Sequence, residues 1–268
     1  MNFLTIQSRR IEYVCLQAKR TKALAPTIVM LHEGLGSIAM WRDFPQQVAD
    51  ATGCEVLVYS RHNYGNSDPL GRDYGIDFMH KEALEALPEV LDQLNIKKPI
   101  LFGHSDGGSI ALIHAGGAQR DLSGMVLMAP HVLLEEISVT SIMAAQKAYL
   151  NTDLREKLSR YHAHVDAAFY GWANVWLNPE FLHWNIEEYL PPISCPILAI
   201  QGTDDEYGTM QQIDIIDRKV KDVKLLKLPQ CRHSAHKDQP LAVLQAVADF
   251  VEKIKDRNNA GKQILDAV

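Results

Sequence analysis

Apolar residues along the chain follow two different periods. Short runs, several of them near-continuous in Val, Ile and Leu, recur at residues 11–17, 27–32, 55–60, 100–103, 125–129, 197–201 and 224–228. Such runs predict strands, and the continuous ones predict strands covered on both faces, as in a parallel sheet between helices. Between them, residues 41–52, 79–94, 108–118, 210–220 and 241–255 carry apolar side chains at helical spacing. The alternation predicts an α/β fold with a mostly parallel sheet and helices on both faces.

The alternation stops between His131 and Pro192. This stretch is helical in pattern and holds Tyr149, Phe169, Tyr170, Trp172, Trp176 and Trp184. It predicts a helical cap, or lid, at 131–192, inserted into a core formed by 1–130 and 193–268. Most of its aromatic side chains are expected to pack between cap and sheet, with some lining a pocket, because clefts form where elements meet.

Composition narrows the function classes. A chain of 268 residues suits one domain with an insertion. A net charge of -6 gives no broad basic surface, which argues against nucleic acid. The N-terminal residues lack the layout of a secretory signal and no apolar run reaches membrane-spanning length, so no membrane partner and a cytoplasmic location are the expectations. Cys15, Cys54, Cys195 and Cys231 show no paired spacing and are expected to be buried thiols. Nothing calls for a metal or another cofactor. The expected partner is a small-molecule substrate, and assembly into a homo-oligomer is left open.

The chemistry concentrates in three segments. Gly103-His104-Ser105-Asp106-Gly107 follows a predicted strand and precedes a predicted helix. This G-x-S-x-G pattern in a strand–turn–helix setting holds a serine hydroxyl exposed on a strained turn, with helix N–H groups behind it. Serine is a weak nucleophile without a neighbouring base. His233, in Cys231-Arg232-His233-Ser234-Ala235-His236 after the last strand, is the candidate base. His236 reads as a surface or capping residue, and the His162-Ala163-His164 pair as ordinary polar positions. An orienting carboxylate is expected between serine and histidine, on the loop Gly202-Thr203-Asp204-Asp205-Glu206. Composition leaves the choice among its three acids open.

The loop His32-Glu33-Gly34-Leu35-Gly36 follows an early strand and offers backbone N–H groups for an oxyanion. Gly34 is the first choice and Leu35 the second, partnered by the N–H of Asp106. The Asp106 carboxylate, unhelpful near a developing negative charge, is expected to turn away.

Over residues 10 to 255 these motifs resemble the α/β-hydrolase fold family. The resemblance implies an eight-stranded sheet interrupted by a cap after the sixth strand. It implies Asp205 as the acid, three positions after Gly202, and a catalytic histidine in a stretch like His233 to Pro240. Tyr59 to Asp68 is similar to the family's Gly-Tyr-Gly-x-Ser turn. Two departures stand out. Glu33 replaces the glycine usual after His32, and is expected to be structural. Ser234 follows His233 where ring-fission C–C hydrolases often carry tryptophan. The resemblance therefore implies a serine esterase, thioesterase or lactonase acting through an acyl-enzyme. The alternatives are C–C hydrolysis of ring-fission products and a non-catalytic small-molecule receptor on the same fold.

Overall fold

The computed structural model describes residues 1–20, 25–71 and 74–265, with side chains described up to 257. Eight strands form one sheet: β1 (Asn2–Ile6), β2 (Arg9–Leu16), β3 (Ile28–Leu31), β4 (Val56–Tyr59), β5 (Ile100–His104), β6 (Gly124–Met128), β7 (Ile197–Gly202) and β8 (Val223–Leu228). Their order is β1-β2-β4-β3-β5-β6-β7-β8. β2 pairs antiparallel with β1 and β4, and every later pair is parallel. All seven expected strands are present, each within two residues of its expected ends.

The eighth, β1, is an edge strand with only Ile6 fully buried. It joins β2 through Gln7 and Ser8, both at positive φ (49° and 65°). That is the backbone of a primed hairpin turn, built here without the Asn-Gly or Asp-Gly pair that usually announces one.

The central strands are buried on both faces because their side chains alternate between two cores. Met30, Val58, Phe102 and Ile200 share a core with α1 (Phe44–Thr52) and with Val243, Val247 and Val251 of the C-terminal helix, while Leu31, Leu57, Leu101 and Ala199 face the opposite layer. In that opposite layer, α2 (Phe78–Lys81) runs through Glu82–Ala86 into α3 (Leu87–Gln93), and α4 (Asp106–Gly117) follows β5. After β6 the chain passes through α5 (Glu136–Asn151), α6 (Leu154–Ser159) and α7 (Val165–Trp176) before returning to the sheet. Stacked Tyr149 and Phe169, with ring centroids 3.7 Å apart, tie α5 to α7. The core closes with α8 (Gln211–Lys219), α9 (Ala235–Asp238) and α10 (Pro240–Leu265).

Cys54, Cys195 and Cys231 are buried as expected, but Cys15 is exposed, because it sits on β2 near the sheet edge. No described helix is long and apolar enough to cross a membrane.

β3 is followed in sequence by β4 on one side of it and by β5 on the other. The chain therefore reverses its direction of travel across the sheet between β3 and β5. In open parallel sheets a crevice opens at such a point, beyond the carboxyl ends of the strands. The loops after β3, β5, β7 and β8 carry the four segments singled out above.

Candidate active site

Ser105 caps the turn from β5 into α4 at φ 54° and ψ -120°. A β-carbon on Gly103 would run into the backbone of Gly107 and Gly108, and one on Gly107 into the carbonyl oxygens of Leu31 and His32. Both positions must therefore be glycine for α4 to pack this tightly against β3 and β5. Among the described residues, Ser105 Oγ has no hydrogen-bond partner, and Ser105 lies on the wall of a cavity of about 270 Å³.

His233 opens on the same cavity. Its Nδ1 lies 2.8 Å from Asp205 Oδ1 and 3.0 Å from Oδ2, so the ring proton sits on Nδ1 and Nε2 is left as the basic atom. The carboxylate is itself fixed by N–H groups of Tyr207 (2.9 Å), Gly208 (3.3 Å) and Gln201 Nε2 (2.8 Å). Burial alone would neutralise both partners. Their mutual attraction wins, holding the Asp205 carboxyl below its ordinary range and lifting the His233 imidazole above it.

Of the three adjacent acids, geometry places Asp205 against the ring. Glu206 Oε2 instead accepts the backbone N–H of His233 at 3.1 Å. Asp204 is exposed, with Oδ1 bound to Thr203. Gly34 and Leu35 line the cavity from the β3 loop, and Asp106 lines it from the first residue of α4. The Asp106 carboxylate is fully buried, with Arg61 Nη2 3.9 Å away, and burial pushes its pKa up to about 6 against the pull of that cation.

His236 corrects the surface reading given to it. It is 6% exposed, wedged against Trp41, Phe44 and His104 at ring distances of 5.0, 5.2 and 5.3 Å. Burial holds it down at about 3, neutral. His162 is likewise buried and structural, joining Gly65 N–H (3.0 Å) to the Leu35 carbonyl (3.0 Å). Glu33, the departure from the family glycine, also faces the cavity. Its carboxylate stands 3.5 Å from His104 Nδ1, and His104 Nε2 bonds the His233 carbonyl at 3.0 Å.

Much of the remaining wall comes from residues the sequence did not single out by role: Trp172 and Trp176 of α7, Ile142 of α5, Tyr207 and His131. Trp172 and Trp176 share one face of α7 at a four-residue spacing, a signal visible in sequence but equally expected of core. Among the described residues no cluster of His, Cys, Asp and Glu is suited to a metal ion.

Known proteins agree with this architecture. The model of the alpha/beta hydrolase fold matches residues 26–180. This chain belongs to the alpha/beta hydrolase fold family. Within it, the chain is 27% identical over 195 residues to serine hydrolase BPHL of Homo sapiens, covering 68% of this chain and 64% of that protein. It is 23% identical over 251 residues to the 2-hydroxy-6-oxo-6-phenylhexa-2,4-dienoate hydrolase of Burkholderia cepacia, covering 84% and 87%. The enol-lactonase structure from Burkholderia xenovorans LB400 superposes with a TM-score of 0.73 at 18% identity, over 94% of this chain and all of that one. This last likeness is one of fold.

Proposed function

We propose that the protein is a serine hydrolase of small carboxylic esters, thioesters or lactones. The observation that carries this is a serine held at positive φ, opening on one cavity with a histidine whose other nitrogen is clamped by a buried carboxylate. His233 Nε2 takes the Ser105 proton as Oγ attacks the acyl carbon, an approach that closes as substrate binds. The N–H groups of Gly34 and Asp106 receive the oxyanion, and Asp205 stabilises the imidazolium. As the C–O or C–S bond breaks, the imidazolium returns its proton to the departing alkoxide or thiolate, which leaves as the alcohol or thiol. A water activated by His233 then releases the acid from Ser105.

Residues 131–192 act as the cap in this reading, since α5 and α7 supply Ile142, Trp172 and Trp176 to the cavity. The cavity's charge supports acyl transfer over C–C cleavage of a dienoate. Glu33 and Glu206 both line it and none of its described lining residues is Lys or Arg, a poor environment for a carboxylate-bearing substrate. No observation favours the receptor alternative.

The test is chromophore release from p-nitrophenyl esters of increasing acyl length. Turnover with a chain-length optimum, abolished by Ser105→Ala, supports the proposal. Absence of turnover with esters, thioesters and lactones alike overturns it.

A further inference from the structure

Resting on the serine-hydrolase reading, we propose that Arg61 is a positioning residue for the oxyanion hole. One buried guanidinium, together with His32 Nδ1 and the Gly36 N–H, fixes the carbonyl of the Glu33–Gly34 peptide and also faces the Asp106 carboxylate, so that the Gly34 N–H donor is preset. Arginine is rarely buried this completely, and Arg61 is 1% exposed. It lies two residues past the end of β4, beside β3.

Its contacts converge on the loop after β3. Nη1 donates to the His32 carbonyl at 2.5 Å and Nη2 to the Glu33 carbonyl at 3.1 Å. The Arg61 backbone N–H donates to His32 Nε2 at 3.1 Å, which puts the imidazole proton on Nδ1, 2.7 Å from that same Glu33 carbonyl. The His32 ring is thus neutral and locked, in keeping with the depression of its pKa by burial and by the Arg61 charge.

Across a trans peptide the carbonyl and the following N–H point in opposite directions. Anchoring the Glu33 carbonyl on Arg61 therefore aims the Gly34 N–H away from Arg61. Gly34 lines the cavity, and its N–H has no partner among the described residues.

The same Nη2 stands 3.9 Å from Asp106 Oδ2, and neither Asp106 carboxylate oxygen has a hydrogen bond. That cation, ahead of His233 and the Trp176 indole, offsets the burial of a carboxylate that adjoins the position where negative charge develops. The face of Tyr64, 5.0 Å from the guanidinium carbon, closes the other side and fixes its plane. A point charge cannot reproduce this planar two-carbonyl fork.

Arg61→Lys, Arg61→Met and Arg61→Met/Asp106→Asn are compared with wild type. Each is assayed for ester turnover and for inhibition by a trifluoromethyl ketone, which forms the tetrahedral adduct, and melting temperature is followed alongside. The double variant removes both charges, so it keeps the question open to test if Arg61→Met alone does not fold.

The expectation is a fall in kcat of about 100-fold in all three, the range seen when an oxyanion donor is lost. KM should stay within about threefold, and ketone affinity should fall in step with kcat/KM. Full activity in Arg61→Lys, or recovery of the rate in the double variant, would show that Arg61 supplies only charge and overturn the positioning role. Loss of KM and kcat in step with melting temperature would also overturn it. Wild type inert to esters, thioesters and lactones alike would instead overturn the functional reading on which the role rests, a result read without any Arg61 variant.

Discussion

Asp205→Asn isolates the contribution of the carboxylate while preserving its shape. Asp205 is 7% exposed, and its oxygens face donors throughout: His233 Nδ1, Gln201 Nε2 and the N–H groups of Tyr207 and Gly208. An asparagine must place an NH2 at one oxygen position. At Oδ1 it would meet the two backbone N–H groups; at Oδ2 it meets only the Gln201 amide and the more distant edge of the ring contact. The second orientation costs less, and leaves a buried donor facing a donor, a penalty of about 1–3 kcal/mol. At about 2–4 °C per kcal/mol for a chain near this size, melting should fall by roughly 2–12 °C.

Catalysis should suffer more than stability. The imidazolium loses its counter-charge and the ring its enforced tautomer, and the corresponding change in a Ser-His-Asp enzyme costs about 10⁴-fold in kcat. At 1.36 kcal/mol per decade that is about 5 kcal/mol of transition-state stabilisation. The assay is kcat and kcat/KM on the best p-nitrophenyl ester beside thermal melting, with Asp204→Asn and Glu206→Gln as controls. A folded Asp205→Asn within tenfold of wild type would refute the role, as would equal losses in the two controls.

Three further outcomes are expected. In the proposed mechanism His233 must be neutral to act as the base, and its pKa is raised by Asp205 against the effect of burial, so kcat/KM should climb with pH through an apparent pKa above 6.5; in Asp205→Asn any residual limb should move to lower pH, and a pH-rate profile checks both. Gly107→Ala drives a β-carbon into backbone carbonyls that cannot swing aside, so melting should show a loss of about 1–3 kcal/mol and turnover should fall at least 100-fold as Ser105 is displaced. With Glu33 and Glu206 on the wall, the mono-p-nitrophenyl ester of a dicarboxylic acid should react at least tenfold more slowly than a neutral ester of equal length, and equal rates would remove the electrostatic argument.

How much of this was written in the sequence follows from how local each signal is. The central strands were readable because a parallel sheet needs unbroken apolar runs, and the elbow because Gly103 and Gly107 are forced by backbone contact within one strand–turn–helix unit. β1 was not, since its turn uses Gln7 and Ser8 in a backbone that usually selects Asn-Gly.

Choosing Asp205 among three acids needed either a family pattern or the fold, because only packing decides which carboxylate reaches His233. Arg61 and His236 were invisible for a deeper reason. A charged or polar residue in a loop reads as solvated, and only the convergence of β3, β4 and β5, or of α9 with Trp41 and Phe44, reveals each as buried. Cys15 failed in the opposite sense, a residue type usually buried that lies on an exposed position of β2.

The central claim is that Ser105 is the nucleophile, activated by His233. Labelling the native protein with a fluorophosphonate and mapping the adduct by peptide mass spectrometry tests it most directly. A single adduct on Ser105, absent in Ser105→Ala and formed at least 100-fold more slowly in His233→Ala, is the predicted result. An adduct on another residue, or labelling of Ser105 that is indifferent to His233, would contradict it.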